Sequence, residues 1–328
     1  MTFAKKALLF GGISLLAGSL ATAAMAGDAI NGAGATFPAP YYQAAFAGLA
    51  NQGIRVNYQS VGSGAGVRQF VAGTVDFGAT DEPIKPAEAA KVKRGVVQFP
   101  ATGGTIAVAY NNPSCPALKL TQQQVAEIFL GKIDSWSDLK CGSGPIKVVH
   151  RSDGSGTTFA FTNSLSAFSA EWKSKVGEGK SVKWPVGVGG KGNEGVAGTI
   201  SNTPGSIGYL SEAFVRGRIK SAAVQNRAGR FVKPGPKTGG AALNNITLNN
   251  MLAGEDPNPA GANSYPITTL TWILAYRSGN GAKADEIRKA MNYLLSDSTQ
   301  FRAEVLGFIP LKGSILSRAR AAVATIGN

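Results

Sequence analysis

Two hydrophobic periods take turns along the chain. IRVNYQS (54–60) alternates apolar and polar positions, the period of a half-buried strand. VVQFP (96–100), PIKVVHR (145–151) and PGSIGYLS (204–211) read as further strands. GTIAVAYNN (104–112) and YPITTLTWILAYR (265–277) read as buried ones. Between them lie segments of helical period. One follows Thr36, with Tyr41, Ala45 and Phe46 turned inward, and one follows Ser63 in VGSGAGVRQFVAGT. TQQQVAEIFLG (121–131) has Thr121 as cap, Gln124 at the capping-box position and Gly131 as stop. A helix is expected from Ser155 to Phe168, and another after the Gly-rich loop at 186–195. AKADEIRKAMNYLLSDS (282–298) carries Ile287, Met291 and Leu294 on one stripe. Residues 221–264 are rich in Gly, Pro and Asn and read as a surface excursion with room for one short helix.

Strands alternating with helices predict an α/β fold with largely parallel pairing. Two such blocks predict two lobes. Helices that begin after GAGAT, VGSG and SDGSG then start at the carboxyl ends of strands, where such sheets bind ligands.

The first 26 residues change the picture of where the protein works. Lys5 and Lys6 precede an apolar run, and AMA before Gly27 fits the small-x-small rule of a secretory signal. A mature start at Gly27 and an exported product are expected. No later segment offers about twenty uninterrupted apolar residues, the length of a membrane span. The two cysteines, Cys115 and Cys141, fit an oxidising compartment and are expected to form a disulfide. Closing that loop would stabilise by about 3 kcal/mol on a chain-entropy account. One histidine and two cysteines do not make a metal site, and no cofactor motif stands up.

The 33 lysines and arginines against 19 acids give a net +14, or +12 without Lys5 and Lys6. Such a field draws anions. The basic residues are scattered singly with no interleaved aromatics, which argues against nucleic acid.

Three expected helix starts carry a hydroxyl beside glycine: Thr36, Ser63, and Ser155 with Thr157. Free N–H groups and the helix dipole suit such places to anions, although Ser and Thr are also ordinary N-caps. Arg151 adds a planar cationic fork at the strand exit, and Asp153 can aim it or serve as a turn acid. His150 points to the opposite face and reads as a packed or surface residue. Asp81, in GATDEP, would repel an anion unless that anion brings a proton. Phosphate does so at neutral pH and sulfate does not, so an acid there selects between them. A turn aspartate before Pro83 is the plainer alternative.

Other motifs fail. Gly187, Gly189 and Gly192 spell GxGxxG without the acid that should follow about twenty residues on. GGKGN lacks the hydroxyl residue after a P-loop lysine, and a hydrolase triad would have to use His150.

The stretches GAGATFPAPYY, YQSVGSGAGVRQFVAGTVDFGATDEP, HRSDGSGTTFAFTNSL, EWKSKVGEGKSVKWPVGVGGKGNEGVAG, PGSIGY and YPITTLTWIL resemble the periplasmic phosphate-binding proteins of phosphate ABC transporters. The likeness covers most of residues 30–212 and resumes at 265–275; residues 221–264 and the C-terminal helices match loosely. It implies a two-lobed type II periplasmic binding fold, each lobe a mixed sheet flanked by helices. Lobe I would comprise residues 27–106 and 265–328, and lobe II residues 107–264. It implies a monomeric, non-catalytic periplasmic receptor that passes inorganic phosphate to an inner-membrane permease. By motif, Thr36, the Phe37 N–H, Ser63 and Asp81 would meet phosphate from one lobe. Arg151, Ser155, Gly156 and Thr157 would meet it from the other, with Asp153 orienting Arg151. The resemblance picks Asp81 over Glu82. This chain departs at Gly64, where relatives often carry a second serine. A secreted phosphatase or a surface adhesive protein on the same fold are the alternative readings.

Overall fold

The computed structural model describes residue 2, residues 29–244 and residues 246–328. The expected signal segment otherwise lies outside the described residues.

In chain order the elements are β1 (Ile30–Gly34), α1 (Ala39–Ala50), β2 (Val56–Ser60), α2 (Ser63–Ala72), β3 (Phe77–Thr80), α3 (Pro86–Ala89) and β4 (Val96–Asn111). Then come β5 (Lys119–Leu120), α4 (Gln122–Phe129), β6 (Lys147–Arg151), α5 (Gly156–Phe168), α6 (Ala170–Lys175), β7 (Val188–Gly190), α7 (Gly192–Asn202) and β8 (Ser206–Ser211). The chain ends with β9 (Lys220–Ser221), β10 (Ala223–Gln225), β11 (Phe231–Val232), α8 (Pro236–Leu243), β12 (Thr268–Tyr276), α9 (Ala284–Leu294), α10 (Asp297–Val305) and α11 (Gly313–Val323).

The main sheet runs β2-β1-β3-β12-β4-β8-β6-β7, with β9 on β4. Pairing is parallel at β1–β2, β1–β3, β6–β8 and β6–β7, but β12 and β4 run against their neighbours. The expectation of largely parallel pairing is therefore corrected to a mixed sheet. Two long strands of non-alternating connection cross its centre.

One strand, β4, changes partner along its length. Its first part pairs with β12 as far as Thr105↔Thr268, and from Ile106↔Ser211 onward it pairs with β8. The sequence suggested two strands here because Pro100 supplies no ladder N–H. A register shift absorbs it: Trp272 faces Pro100 while Thr271 faces Thr102, leaving Ala101 as the extra residue of a bulge. At Gly104 a Cβ would sit 2.5 Å from the Phe37 ring, so glycine there lets Phe37 seat against the strand.

Residues 221–264 are more than a surface excursion. They hold α8 and strands that build a second sheet, β11-β10-β5, and bury Ala222, Val224, Leu248 and Leu252. Trp272 Nε1 donates to the Leu252 carbonyl at 2.7 Å and fastens this segment to β12. Its Gly, Pro and Asn residues make turns between short buried runs.

Other expectations hold. Thr121 caps α4 and accepts from Gln124 N–H, which closes the capping box. Ile287, Met291 and Leu294 are buried along α9. Cys115 and Cys141 are bridged, with Cα atoms 4.8 Å apart. Among the described residues no helix is long and apolar enough to cross a membrane.

Candidate functional site

Four strand-to-helix junctions approach one another at one place. At the first, the chain leaves β1 and turns through Thr36 and Phe37 before α1. Phe37 is fully buried and packs edge-on against Phe308. Thr36 does not cap the helix as expected. Pro38 holds that position, and Thr36 Oγ1 instead accepts from Asn193 N at 3.0 Å and Asn193 Nδ2 at 2.8 Å. Asn193, at the start of α7, has claimed the hydroxyl.

The second junction precedes α2. Gly62 is its N-cap, at φ 91°, and Ser63 is its first residue. Ser63 therefore is not the cap either. Its Oγ accepts the Asp81 N–H at 3.2 Å, which ties this junction to the third. The Gly64 N–H crosses to the Gly154 carbonyl at 2.8 Å, and a Cβ on Gly64 would stand 3.1 Å from Gly154. The departure at Gly64 thus coincides with a close backbone approach.

At the third junction β3 leads directly into Asp81, which is 1% exposed. Its Oδ1 accepts from Thr271 Oγ1 at 2.8 Å and its Oδ2 from Thr157 Oγ1 at 3.3 Å. Burial pushes its pKa up to about 6 against the pull of the Thr271 hydroxyl, the Arg151 charge, the Thr157 hydroxyl and the Lys180 charge. A carboxylate so placed titrates just below neutrality.

The fourth junction, from β6 into α5, supplies the opposing face. Arg151 is 4% exposed. Its Nε donates to Asp153 Oδ1 at 2.7 Å and its second terminal nitrogen to Asp153 Oδ2 at 2.5 Å, a forked pair. The remaining guanidinium nitrogen points to Thr157 Oγ1 at 3.4 Å. Partial burial works against the Asp153 carboxylate. The Arg151 bonds and charge and the Gly192 N–H outweigh it, and its pKa falls below the usual range. Ser155 is a true N-cap, its Oγ accepting Thr158 N–H at 2.9 Å. The N–H groups of Gly156 and Thr157, in the first turn, have no intrahelical acceptor by geometry. At Gly156 a Cβ would stand 2.6 Å from Asp81 Cβ and from Ser63 Oγ, so only glycine permits this approach.

The structure links Thr36, Ser63, Asp81, Arg151, Asp153, Gly156 and Thr157 through hydrogen bonds or close approaches, directly or by way of Asn193, and Phe37 and Ser155 adjoin them in the chain. His150 is packed, its ring stacked on Trp184 at 4.9 Å. Two residues escaped sequence reading. Asn193, fully buried at the start of α7, donates to Thr36 and Thr157 and accepts Ser211 N–H at 2.8 Å. Its signal was a helix start in KGNEG, overshadowed there by the failed P-loop. Thr271 lies inside an apolar strand and carried no signal. Among the described residues no group of three or more His, Cys, Asp or Glu side chains is arranged for a metal ion.

This arrangement offers hydroxyls, first-turn N–H groups and one guanidinium around a small polar centre, with a single carboxylate that can accept a proton. A PBP superfamily domain matches residues 21–298. A phosphate-binding protein PstS of Pasteurella multocida is 42% identical, the alignment covering 89% of each chain. A PstS of Haemophilus influenzae is 41% identical over 88% of this chain and 91% of its own. Among solved structures, a high affinity periplasmic phosphate-binding protein bound with phosphate superposes with a TM-score of 0.76 at 23% identity, covering 90% of this chain and 93% of that one. A phosphate-binding protein from Stenotrophomonas maltophilia gives 0.70 at 20%, with the same coverage. The solved structures carry the fold, the sequence relatives carry the kinship, and the chain belongs to the PstS family of phosphate-binding proteins within the PBP superfamily.

Proposed function

We propose that this protein is an exported, non-catalytic receptor that holds inorganic phosphate between its lobes and delivers it to an inner-membrane ABC permease. The observation that carries this reading is the buried Asp81 carboxylate facing Arg151 and Thr157 across the cleft. A proton acceptor inside a nest of donors suits an anion that keeps a proton. Phosphate does near neutrality; sulfate does not.

In this reading Thr36, the Phe37 N–H and Ser63 hold phosphate from lobe I, and Asp81 accepts its proton. Arg151, Ser155, Gly156 and Thr157 close from lobe II, with Asp153 fixing the guanidinium plane. The change of partner along β4 between Thr105 and Ile106 supports a lobe boundary near residue 106, with the return crossing near 265. His150, the imidazole a hydrolase triad would have to use, is stacked on Trp184 with its Nδ1 3.0 Å from the Arg151 carbonyl, and this supports a binding role over a hydrolytic one. The names of the PstS relatives agree with this.

Calorimetric titration of the mature protein with phosphate and with sulfate tests the reading. A saturable phosphate heat at one site, with sulfate silent at the same concentrations, is expected. No phosphate binding would overturn it.

A further inference from the structure

Glu82 follows Asp81 at the exit of β3, and Lys180 lies between α6 and β7 on the other side of the cleft. Lys180 Nζ stands 2.7 Å from Glu82 Oε2. The two side chains are 15% and 5% exposed, so water screens them little. At that distance the ammonium and the carboxylate are in direct charge contact. The other carboxylate oxygen, Oε1, faces Lys85 Nζ at 3.3 Å within its own lobe, and Lys85 is largely exposed. Glu82 is therefore shared between a solvated lysine beside it and a sheltered one across the cleft.

Each partner is anchored to the site. Thr80 Oγ1 accepts the Glu82 N–H at 3.2 Å and donates to the Glu82 carbonyl at 2.7 Å. The Lys180 carbonyl accepts the Ser155 N–H at 2.8 Å, and Ser155 caps α5. The pair thus joins the residue beside Asp81 to the backbone that holds the start of α5. The Arg151 and Lys180 charges also act on Asp81, while Gly64 with Gly154 and Ser60 with Glu194 are joined by single hydrogen bonds.

We propose that Lys180 and Glu82 form an ion-pair latch, made as the lobes close on the anion, that sets how long the anion stays. The proposal rests on the phosphate-binding reading above. Neither residue belongs to the cradle of donors, so both are positioning residues. Coulomb attraction falls with separation and with the entry of water. Parting the lobes by a few ångströms lets water in and loses the pair. The latch therefore favours the closed form and leaves the open form unaffected.

Phosphate association and release by the full mature protein, followed by tryptophan fluorescence in stopped flow with a phosphate-scavenging trap, test this. Glu82→Gln and Lys180→Met should each release phosphate about tenfold faster, the scale of a sheltered charge pair. Association should change less than about twofold, because affinity changes reside mostly in dissociation. The double variant should release no faster than the single ones, and Lys180→Arg should keep slow release. Melting of the phosphate-stripped single variants should match the unmodified protein. Unchanged release in both single variants, or losses that simply multiply in the double, would overturn the latch while the unmodified protein still binds phosphate. Absence of phosphate binding by the unmodified protein would instead overturn the reading on which the latch rests.

Discussion

Thr157 Oγ1 lies 3.3 Å from Asp81 Oδ2, and this contact joins the start of α5 to the residue that follows β3. The same hydroxyl faces Arg151 and Asn193. Three groups that sequence scatters over 113 positions (81 to 193) meet at one oxygen. Thr157→Val keeps the shape and removes that oxygen's hydrogen bonds. Phosphate affinity should fall by about tenfold to a hundredfold, on the scale of hydrogen bonds to charged groups, as read by calorimetry. An unchanged affinity would show that the hydroxyl is a bystander.

Gly156 marks how tightly the lobes meet. A methyl group there would sit 2.6 Å from Asp81 and Ser63, which lie at two other junctions. Gly156→Ala should therefore obstruct closure more than folding. Phosphate affinity should drop by at least about tenfold, the scale of an overpacked contact, while the melting temperature without phosphate stays within a few degrees. Solution scattering should show less compaction on adding phosphate than in the unmodified protein.

Asn193 is a buried hub whose side chain satisfies Thr36, Thr157 and the Ser211 N–H. Asn193→Ala leaves the Ser211 N–H unpaired in the interior. A loss of about 1–3 kcal/mol in folding stability is expected for an orphaned buried donor, measured by denaturant unfolding. Affinity should weaken as well, because Thr36 and Thr157 lose the group that sets their hydroxyls.

The Asp81 titration gives a pH signature with a definite sign. Its pKa is raised from 3.8 to about 6 on folding. The native state then binds more protons than the unfolded state between those values. The contribution of Asp81 to stability is thus most favourable below about pH 4 and is lost as the pH rises through about 6. At pH 7 the buried charge costs on the order of 3 kcal/mol. Phosphate-free Asp81→Asn should melt higher than the unmodified protein at pH 7–8, and the gap should close toward pH 4. A gap independent of pH would remove the assignment.

Much of this was legible in the sequence where the relevant residues are near neighbours. Arg151, Asp153 and Ser155 fall on one strand, turn and helix start, and their local spacing already implies a guarded cation and a cap. The capping box at Thr121 and the stripe along α9 are legible for the same reason. Thr36 and Ser63 show the limit: propensity makes them caps, but tertiary partners took their hydroxyls. Thr271 and the Lys180–Glu82 pair depend on contacts 190 and 98 residues apart, which no local pattern carries. The continuity of β4 was hidden because a proline reads as a break until the bulge at Ala101 accommodates it.

In the proposed function Asp81 selects an anion carrying a proton. Competitive calorimetry of phosphate and sulfate on the unmodified protein and on Asp81→Asn, at pH 7.5 or so, tests it most directly. Sulfate should fail to compete on the unmodified protein and compete measurably on Asp81→Asn, whose amide can donate to an oxygen that has no proton. Equal rejection of sulfate by both proteins would contradict it.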